Sequence, residues 1–483
     1  MNDALPLSLM GHPLHPWLRR LHVSFVPGPS TPMLDEVLAG LVRHFRRLGH
    51  IVQDTPDDRT DVLLTSAPCA EPVPWRQALL FSARRRFNLD HLPPLFTLIP
   101  MPPARLAELL THFAAALRKE PPDPADFAFP GLAPQAARVM IEQGRRGGPI
   151  LSLERLLQAQ SKSIRIILVV GEERPETAYH LDLVGAHPQS PATDPEAFYE
   201  DIVLRIVTTV STDEVTAHEV QEPAISRAQW AGLSVPPALA AAGRALGERN
   251  FFTEMVRIAD LVHVPAVADS VASQYSEGCF STWEPELGAL IATVTGSARP
   301  IDKWRLSDDD LAVIVGVRPD GRGAIVRHVE GGTNLPPSSE AVEMMDMDSQ
   351  LPRVDSRPVV RSKLHGHRGV SAYDPQRVEY TPLEPPYYHY LVSCATAAQA
   401  RGIKAAFARA RCLQDPADPR QVAFTVLPGH GAVIVEKWVE GKAPLQVIWE
   451  YIDAGYLQVA NLIPQGPMAY APALDGRMTL REP

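Results

Sequence analysis

The most constraining feature of this chain is the way short apolar runs alternate with amphipathic helical ones through its first third. "RLHVSFVPG" (residues 20–28) reads as a buried strand, and "TPMLDEVLAGLVRHFRRLG" (31–49) follows with the marks of a helix. Thr31 is suited to the N-cap, Pro32 to the first helical position and Gly49 to the stop. "DVLLTSA" (61–67) and "LFTLIPM" (95–101) read as the next strands. Strands separated by helices predict a parallel sheet with right-handed crossovers.

A second unit of the same character opens at "SIRIILVVG" (163–171), after a proline-rich joint at "KEPPDPADFAFPG" (119–131). "HLDLVGA" and "EVTAHEV" are candidates for its later strands, with helices expected at 194–208 and 236–261. From about residue 306 the pattern changes to many short strands. "DLAVIVGVRPDGRGAIVRHVEGG" carries a hairpin signature around Asp320-Gly321. The expected fold class is α/β: two stacked parallel-sheet α/β domains followed by a β-rich, barrel-like C-terminal domain. The boundaries expected are 1–160, 161–305 and 306–483, the middle domain carrying an acidic motif.

At 483 residues the chain exceeds one ordinary core. Its formal net charge of -10, with thinly spread Lys and Arg, does not indicate a nucleic-acid partner. No apolar run of 18 residues predicts a membrane span, and the basic residues near the N-terminus follow the short apolar patch, the reverse of a secretory signal. A cytoplasmic location is the default. Cys69, Cys279, Cys394 and Cys412 are far apart and form no CxxC, which argues against a disulfide framework or a structural zinc site.

Several chemical motifs fail. There is no GxxxxGK[ST] and no convincing GxGxxG, no GxSxG elbow and no HExxH helix. "PDGRG" (319–323) reads as a turn and "LSDDDL" (306–311) as a cap or solvated turn.

What remains is a set of acids and histidines. In "STWEPELGALIATVTG", Pro285 is suited to a helix start and Gly296 to its end, so Glu284 and Glu286 would sit at a helix N-terminus, where the backbone dipole favours negative charge. On that reading they are caps. A functional reading adds Asp302 in "ARPIDKW", His328, His365 and His367 in "SKLHGHRGV", and His430 in "LPGHGAVIV". Two carboxylates with one or two imidazoles suit a divalent first-row ion such as Mn²⁺. Lys363 and Arg368 would line the mouth of such a site or form a basic strand edge. Trp283, Trp304 and Tyr373 would line a pocket or fill a core.

The order of these pieces resembles the L-fucose and L-arabinose isomerase family over residues 260–440, with gaps. "WEPELGAL" stands where that family has an acidic motif opening a helix, here with the acids spaced as Glu284-Pro-Glu286. Asp302 matches its next metal-binding acid. "RHVEGGTNLPPS" is similar to its histidine strand, and "LPGHGAVIV" to its final metal histidine. The resemblance implies a divalent-metal-dependent aldose–ketose isomerase acting through an ene-diol on a small sugar or polyol. Glu284 and Asp302 would be both ligands and proton carriers, and His430 the third ligand. Glu286, His328, His365 and His367 would stand near the substrate or behind the ligands. It also implies a homo-oligomer. Two alternatives stay open: a non-catalytic carbohydrate- or protein-binding relative of the same fold, and an unrelated α/β enzyme whose acids are caps.

Overall fold

The computed structural model describes residues 8–9, 12–13, 20–69, 93–129, 134–161, 165–181, 186–189, 195–212, 218–249, 251, 278–294, 303–338, 340–366, 369–372, 374–384, 396–427, 431–460, 470–472 and 478–480. The chain divides into two compact units. One comprises Met1–Val215, Val256–Gln274 and Pro464–Gly466, the other Thr216–Met255, Tyr275–Ile463 and Pro467–Pro483.

The first unit begins as the alternation predicts. Strand β1 (His22–Phe25) leads into helix α1 (Pro32–Arg47), whose Thr31 hydroxyl accepts the Leu34 N–H at 3.2 Å. Gly49 follows with φ +87°, a conformation that favours glycine. Then come β2 (Ile51–Gln53), β3 (Val62–Ser66) and β4 (Leu95–Met101). Helices α2 (Pro103–Leu117), α3 (Pro134–Gly147) and α4 (Pro149–Ser161) separate β4 from β5 (Arg165–Val170). The unit ends with β6 (Thr177–Leu181), β7 (Ala186–Gln189) and α5 (Pro195–Thr212).

The sheet order is β2-β1-β3-β4-β5-β6-β7, parallel through its first five strands and antiparallel at β6 and β7. The run at 165–170, expected to open a second parallel sheet, is therefore the fifth strand of the first. β3 is buried along its whole length and β4 nearly so, as strands covered on both faces must be. Leu95, Ile99, Ile166 and Leu168 pack with Phe113 of α2 and Leu153 and Leu156 of α4, and Phe113 stacks on Phe127 at 5.7 Å.

The second unit is built on a nine-stranded mixed sheet. Its elements are β8 (Glu219–Val220), α6 (Arg227–Gly232), α7 (Val235–Glu248), β9 (Cys279–Glu284), β10 (Ala289–Thr293), β11 (Leu311–Val317), β12 (Ala324–Arg327), α8 (Ala341–Asp346), β13 (Val360–Gly366), β14 (Gly369–Ala372), β15 (Val378–Tyr380), α9 (Ala397–Ala408), β16 (Val422–Leu427), β17 (Gly431–Lys437), α10 (Gln446–Asp453) and β18 (Leu457–Ala460). The order is β8-β12-β11-β10-β9-β13-β17-β16-β15, antiparallel except at the two outermost pairs, while β14 and β18 form a separate pair. Among the described residues the sheet does not close into a barrel. The Asp320-Gly321 hairpin forms as expected between β11 and β12, with Gly321 at φ +72°.

One expectation is overturned at the acidic motif. Residues 285–294 are not a helix, because Cys279–Glu284 and Ala289–Thr293 pair as antiparallel strands with Thr282 opposite Ile291; residues 295–296 lie outside the described residues. Pro285–Gly288 make the turn between them, with Gly288 at φ +58°. Every residue of β10 is buried. A short apolar run covered on both faces lacks the alternation that would mark a strand, and so passes for a helix. The acids still cap something: Glu284 Oε1 accepts the Glu286 N–H at 3.1 Å and braces the turn.

Candidate functional site

Side chains alternate across a strand, so Cys279, Ser281 and Trp283 share one face of β9, and Phe280, Thr282 and Glu284 the other. β13 pairs with β9 so that His365 lies opposite Cys279, and Lys363 opposite Ser281. The four side chains make a polar patch in the middle of the sheet, each at most 2% exposed.

Ser338 and residues 340–350 cover this patch. The Ser338 hydroxyl donates to Glu340 Oε2 at 2.5 Å and is itself hydrogen-bonded to Cys279, so thiol, hydroxyl and carboxylate form a chain. The Ser281 hydroxyl donates to the Met344 sulfur at 3.2 Å. Lys363 Nζ forms an ion pair with Asp348 Oδ2, while Asp348 Oδ1 is buried with no hydrogen-bond partner among the described residues. Glu343 is the oddest member: it is 2% exposed, and neither carboxyl oxygen has a hydrogen-bond partner among the described residues. An orphaned buried carboxyl costs about 1–3 kcal/mol or more, which calls for an explanation.

Burial dominates the protonation of these groups. It pushes the Cys279 thiol well above its ordinary range, with Glu340 adding to the rise, so the sulfur is an inert thiol. It likewise drives Glu343 well above the carboxylate range, again reinforced by Glu340, and keeps it a neutral acid. His365 moves the other way: desolvation lowers its pKa against the opposing pull of Glu340. Its Nδ1 lies 3.0 Å from the Ala432 carbonyl and therefore carries the proton as donor, making Nε2 the basic nitrogen. In the ion pair, burial lowers Lys363 and raises Asp348, each restrained by the other.

The sequence-derived candidates scatter. His365 belongs to the buried cluster, and Lys363 lies within it rather than at a mouth or strand edge. Glu284 points to the opposite face and ends β9 five residues, roughly 17 Å, from Cys279. Glu286 is exposed in the turn. His328 follows β12, three strand spacings or about 14 Å across the sheet from β9. Its carbonyl accepts the Ile225 N–H. Asp302, His367, His430, Arg368, Tyr373 and Cys394 lie outside the described residues. Gly431, which follows His430, opens β17 at the end of the sheet where Cys279 opens β9, not where Glu284 ends it. The described donors thus do not fit an Mn²⁺ site centred on Glu284, and among the described residues no three His, Cys, Asp or Glu side chains form a metal-binding group.

Lys303, whose charge acts on Cys279 and His365, carries no sequence motif, and neither do Ser338, Glu340, Glu343 and Asp348. One signal was present in the acids at 340 and 343 beside "MMDMD": a spacing of three puts both on one side of a helical turn, next to buried methionines. Likewise, no helix among the described residues is long and apolar enough to cross a membrane. No protein-family model, curated protein or solved structure matches the chain, so the likeness to L-fucose and L-arabinose isomerases rests on residues of its own sequence.

Proposed function

We propose that the face of the mixed sheet bearing Cys279 and His365 is the reaction centre of an aldose–ketose isomerase, which moves a proton between neighbouring carbons of a small polyhydroxy carbonyl compound. The observation that carries this reading is that His365 lies opposite Cys279 and Glu343 acts on the same thiol, both buried and pushed to opposite protonation preferences. Pairs of titratable groups pushed apart in this way mark acid and base roles. His365 Nε2 would take the proton beside the carbonyl, and Glu343 would give its proton to the carbonyl oxygen, forming an ene-diol. The reverse transfers at the adjacent carbon complete the exchange. A positioned acid–base pair supplies about 10²–10⁴-fold.

The family resemblance adds Mn²⁺, which would supply Lewis-acid polarisation of the substrate if held, although the described donors do not gather into a group that would hold it. No step here is routed through it, since Glu284 stands away from the cluster. The same resemblance carries the proposal of a homo-oligomer, while a cytoplasmic location is proposed as the default for a chain whose sequence shows no membrane-span or secretory pattern.

The test is solvent exchange: a panel of aldoses is incubated with the protein in D2O, with Mn²⁺ or with EDTA, and followed by NMR. Ketose carrying deuterium at C1, and deuterium at C2 of aldose re-formed from it, are expected, falling at least about 100-fold in His365→Gln and in Glu343→Gln. Absence of exchange with every aldose under both conditions would sink the isomerase reading. One observation favours a second reading, a non-catalytic carbohydrate- or protein-binding relative: no member of the cluster is more than 8% exposed. Sugar binding by calorimetry without exchange would select it.

A further inference from the structure

The opposite face of the same sheet holds a second buried carboxyl group, Glu436 on β17, which is 1% exposed. It belongs to a row across three strands, Thr282, Ser362 and Glu436, set side by side by the pairing of β9, β13 and β17. Thr282 and Ser362 hydroxyls lie 3.1 Å apart, and Ser362 hydrogen-bonds Glu436. The far end of the row meets the start of α10. There the N-cap residue is Leu445, at φ +64° and with no side chain able to cap the helix. Glu436 Oε1 accepts the Leu445 N–H in its place, and the Ile448 N–H also acts on the carboxyl. A strand thus supplies the cap that the helix's own sequence lacks.

We propose that Glu436 is a pH-operated latch on α10, whose neutral form holds the helix start against the sheet and whose ionised form loosens it across the neutral range. Burial raises this carboxyl from 4.5 to about 7, with Ser362, the Leu445 N–H and Arg361 opposing the rise. The other charges around it are engaged elsewhere. Arg361 donates to the Lys442 carbonyl, and Lys442 Nζ pairs with Glu450 at 2.8 Å. Lys437 Nζ donates to the Pro416 and Asp418 carbonyls, and Asp453 at the end of α10 pairs with Arg249. β16 sets Val422 opposite Glu436 and brings no charge.

The sign follows from linkage. Undocking α10 returns the carboxyl to water and to its ordinary pKa, so the undocked state releases the proton first. Docking therefore weakens as pH rises from about 4.5 through 7. Between pH 6 and 8 the opening equilibrium should grow about tenfold.

Hydrogen exchange of the amides of residues 446–453 in the full chain, corrected for intrinsic rates, reads this directly. Protection should fall about tenfold from pH 6 to pH 8 in the native protein, stay flat in Glu436→Gln, and still fall in Glu450→Gln, which removes the ion pair with Lys442 but leaves the Glu436 cap in place. Equal protection of the native protein at both pH values, or an undiminished fall in Glu436→Gln, would overturn the proposal. The native comparison needs no variant to fold.

Discussion

The two sheets treat polar groups differently. In the parallel sheet of the first unit, the buried polar side chains on its strands, among those described, are hydroxyls: Ser24, Thr65, Ser66 and Thr97. Most have simple partners, such as the Val26 carbonyl for Thr65 at 3.0 Å. The mixed sheet of the second unit buries Glu284, Lys363, His365, Glu436 and Lys437 on its strands, with Lys303, Glu340, Glu343 and Asp348 packed around them. Hydroxyls are cheap to bury once bonded, whereas charges cost several kcal/mol each before pairing. The first sheet is thus a scaffold built for stability. The second gives up stability in places where ionisable groups meet, which is the reason for placing the proposed chemistry there.

The contrast breaks most visibly at the ion pair. Lys363→Met leaves Asp348 buried and unpaired and should destabilise the second unit by about 3–5 kcal/mol, whereas the double change Lys363→Met with Asp348→Leu should recover most of that loss. Phe113→Ala in the first unit should cost a similar 3–5 kcal/mol, but through a cavity beside Phe127 that no second polar change repairs. Chemical denaturation of the three proteins decides the matter. Equal losses in the single and double variants of the second unit would remove the distinction between the sheets.

The pH dependence should also differ in sign. His50 Nδ1 accepts the Leu21 N–H at 3.1 Å, and burial lowers its pKa from 6.5 to about 4. The unfolded chain takes up that proton first, so this histidine's contribution is whole above pH 6.5 and is lost as pH falls towards 4, by about 3 kcal/mol in all. Glu343 acts oppositely. Its folded pKa lies above the unfolded value, so stability is lost as pH rises above about 4.5. Glu343→Gln should therefore raise the stability of the second unit more at pH 8 than at pH 5. Denaturation midpoints at the two pH values check this, and a gain independent of pH would mean that Glu343 is ionised in the folded chain.

How much was legible in the sequence follows the same divide. The first helix could be placed to the residue because its signals are local: a hydroxyl that caps, a proline that starts, a glycine that accepts positive φ. The strand at 165–170 was recognised too, but not its place as the fifth of one parallel sheet, because no local chemistry says which sheet a buried strand joins. The run at 289–293 was misread because burial on both faces erases its period. The cluster was hardest to see. Cys279 meets His365 only through a register set across 86 positions, and Glu343 reaches them only when Ser338 and residues 340–350 fold over the patch. His365 was among the candidates for a different reason, its neighbours in a histidine-rich segment.

The smallest expected effect tests the local end of that divide. Thr31 closes the start of α1 with one hydrogen bond to the Leu34 N–H, while Ser30 donates to both carboxyl oxygens of Asp35 at 2.7 Å. Thr31→Ala should cost about 1 kcal/mol, and Thr31→Gly only about a few tenths of a kcal/mol, since glycine leaves the first turn open to water. Glu286→Ala, on an exposed turn whose brace uses only the backbone N–H of that residue, should change stability by less than about 0.5 kcal/mol. If Glu286→Ala proved as costly as Thr31→Ala, the acid at 286 would have a partner beyond the turn.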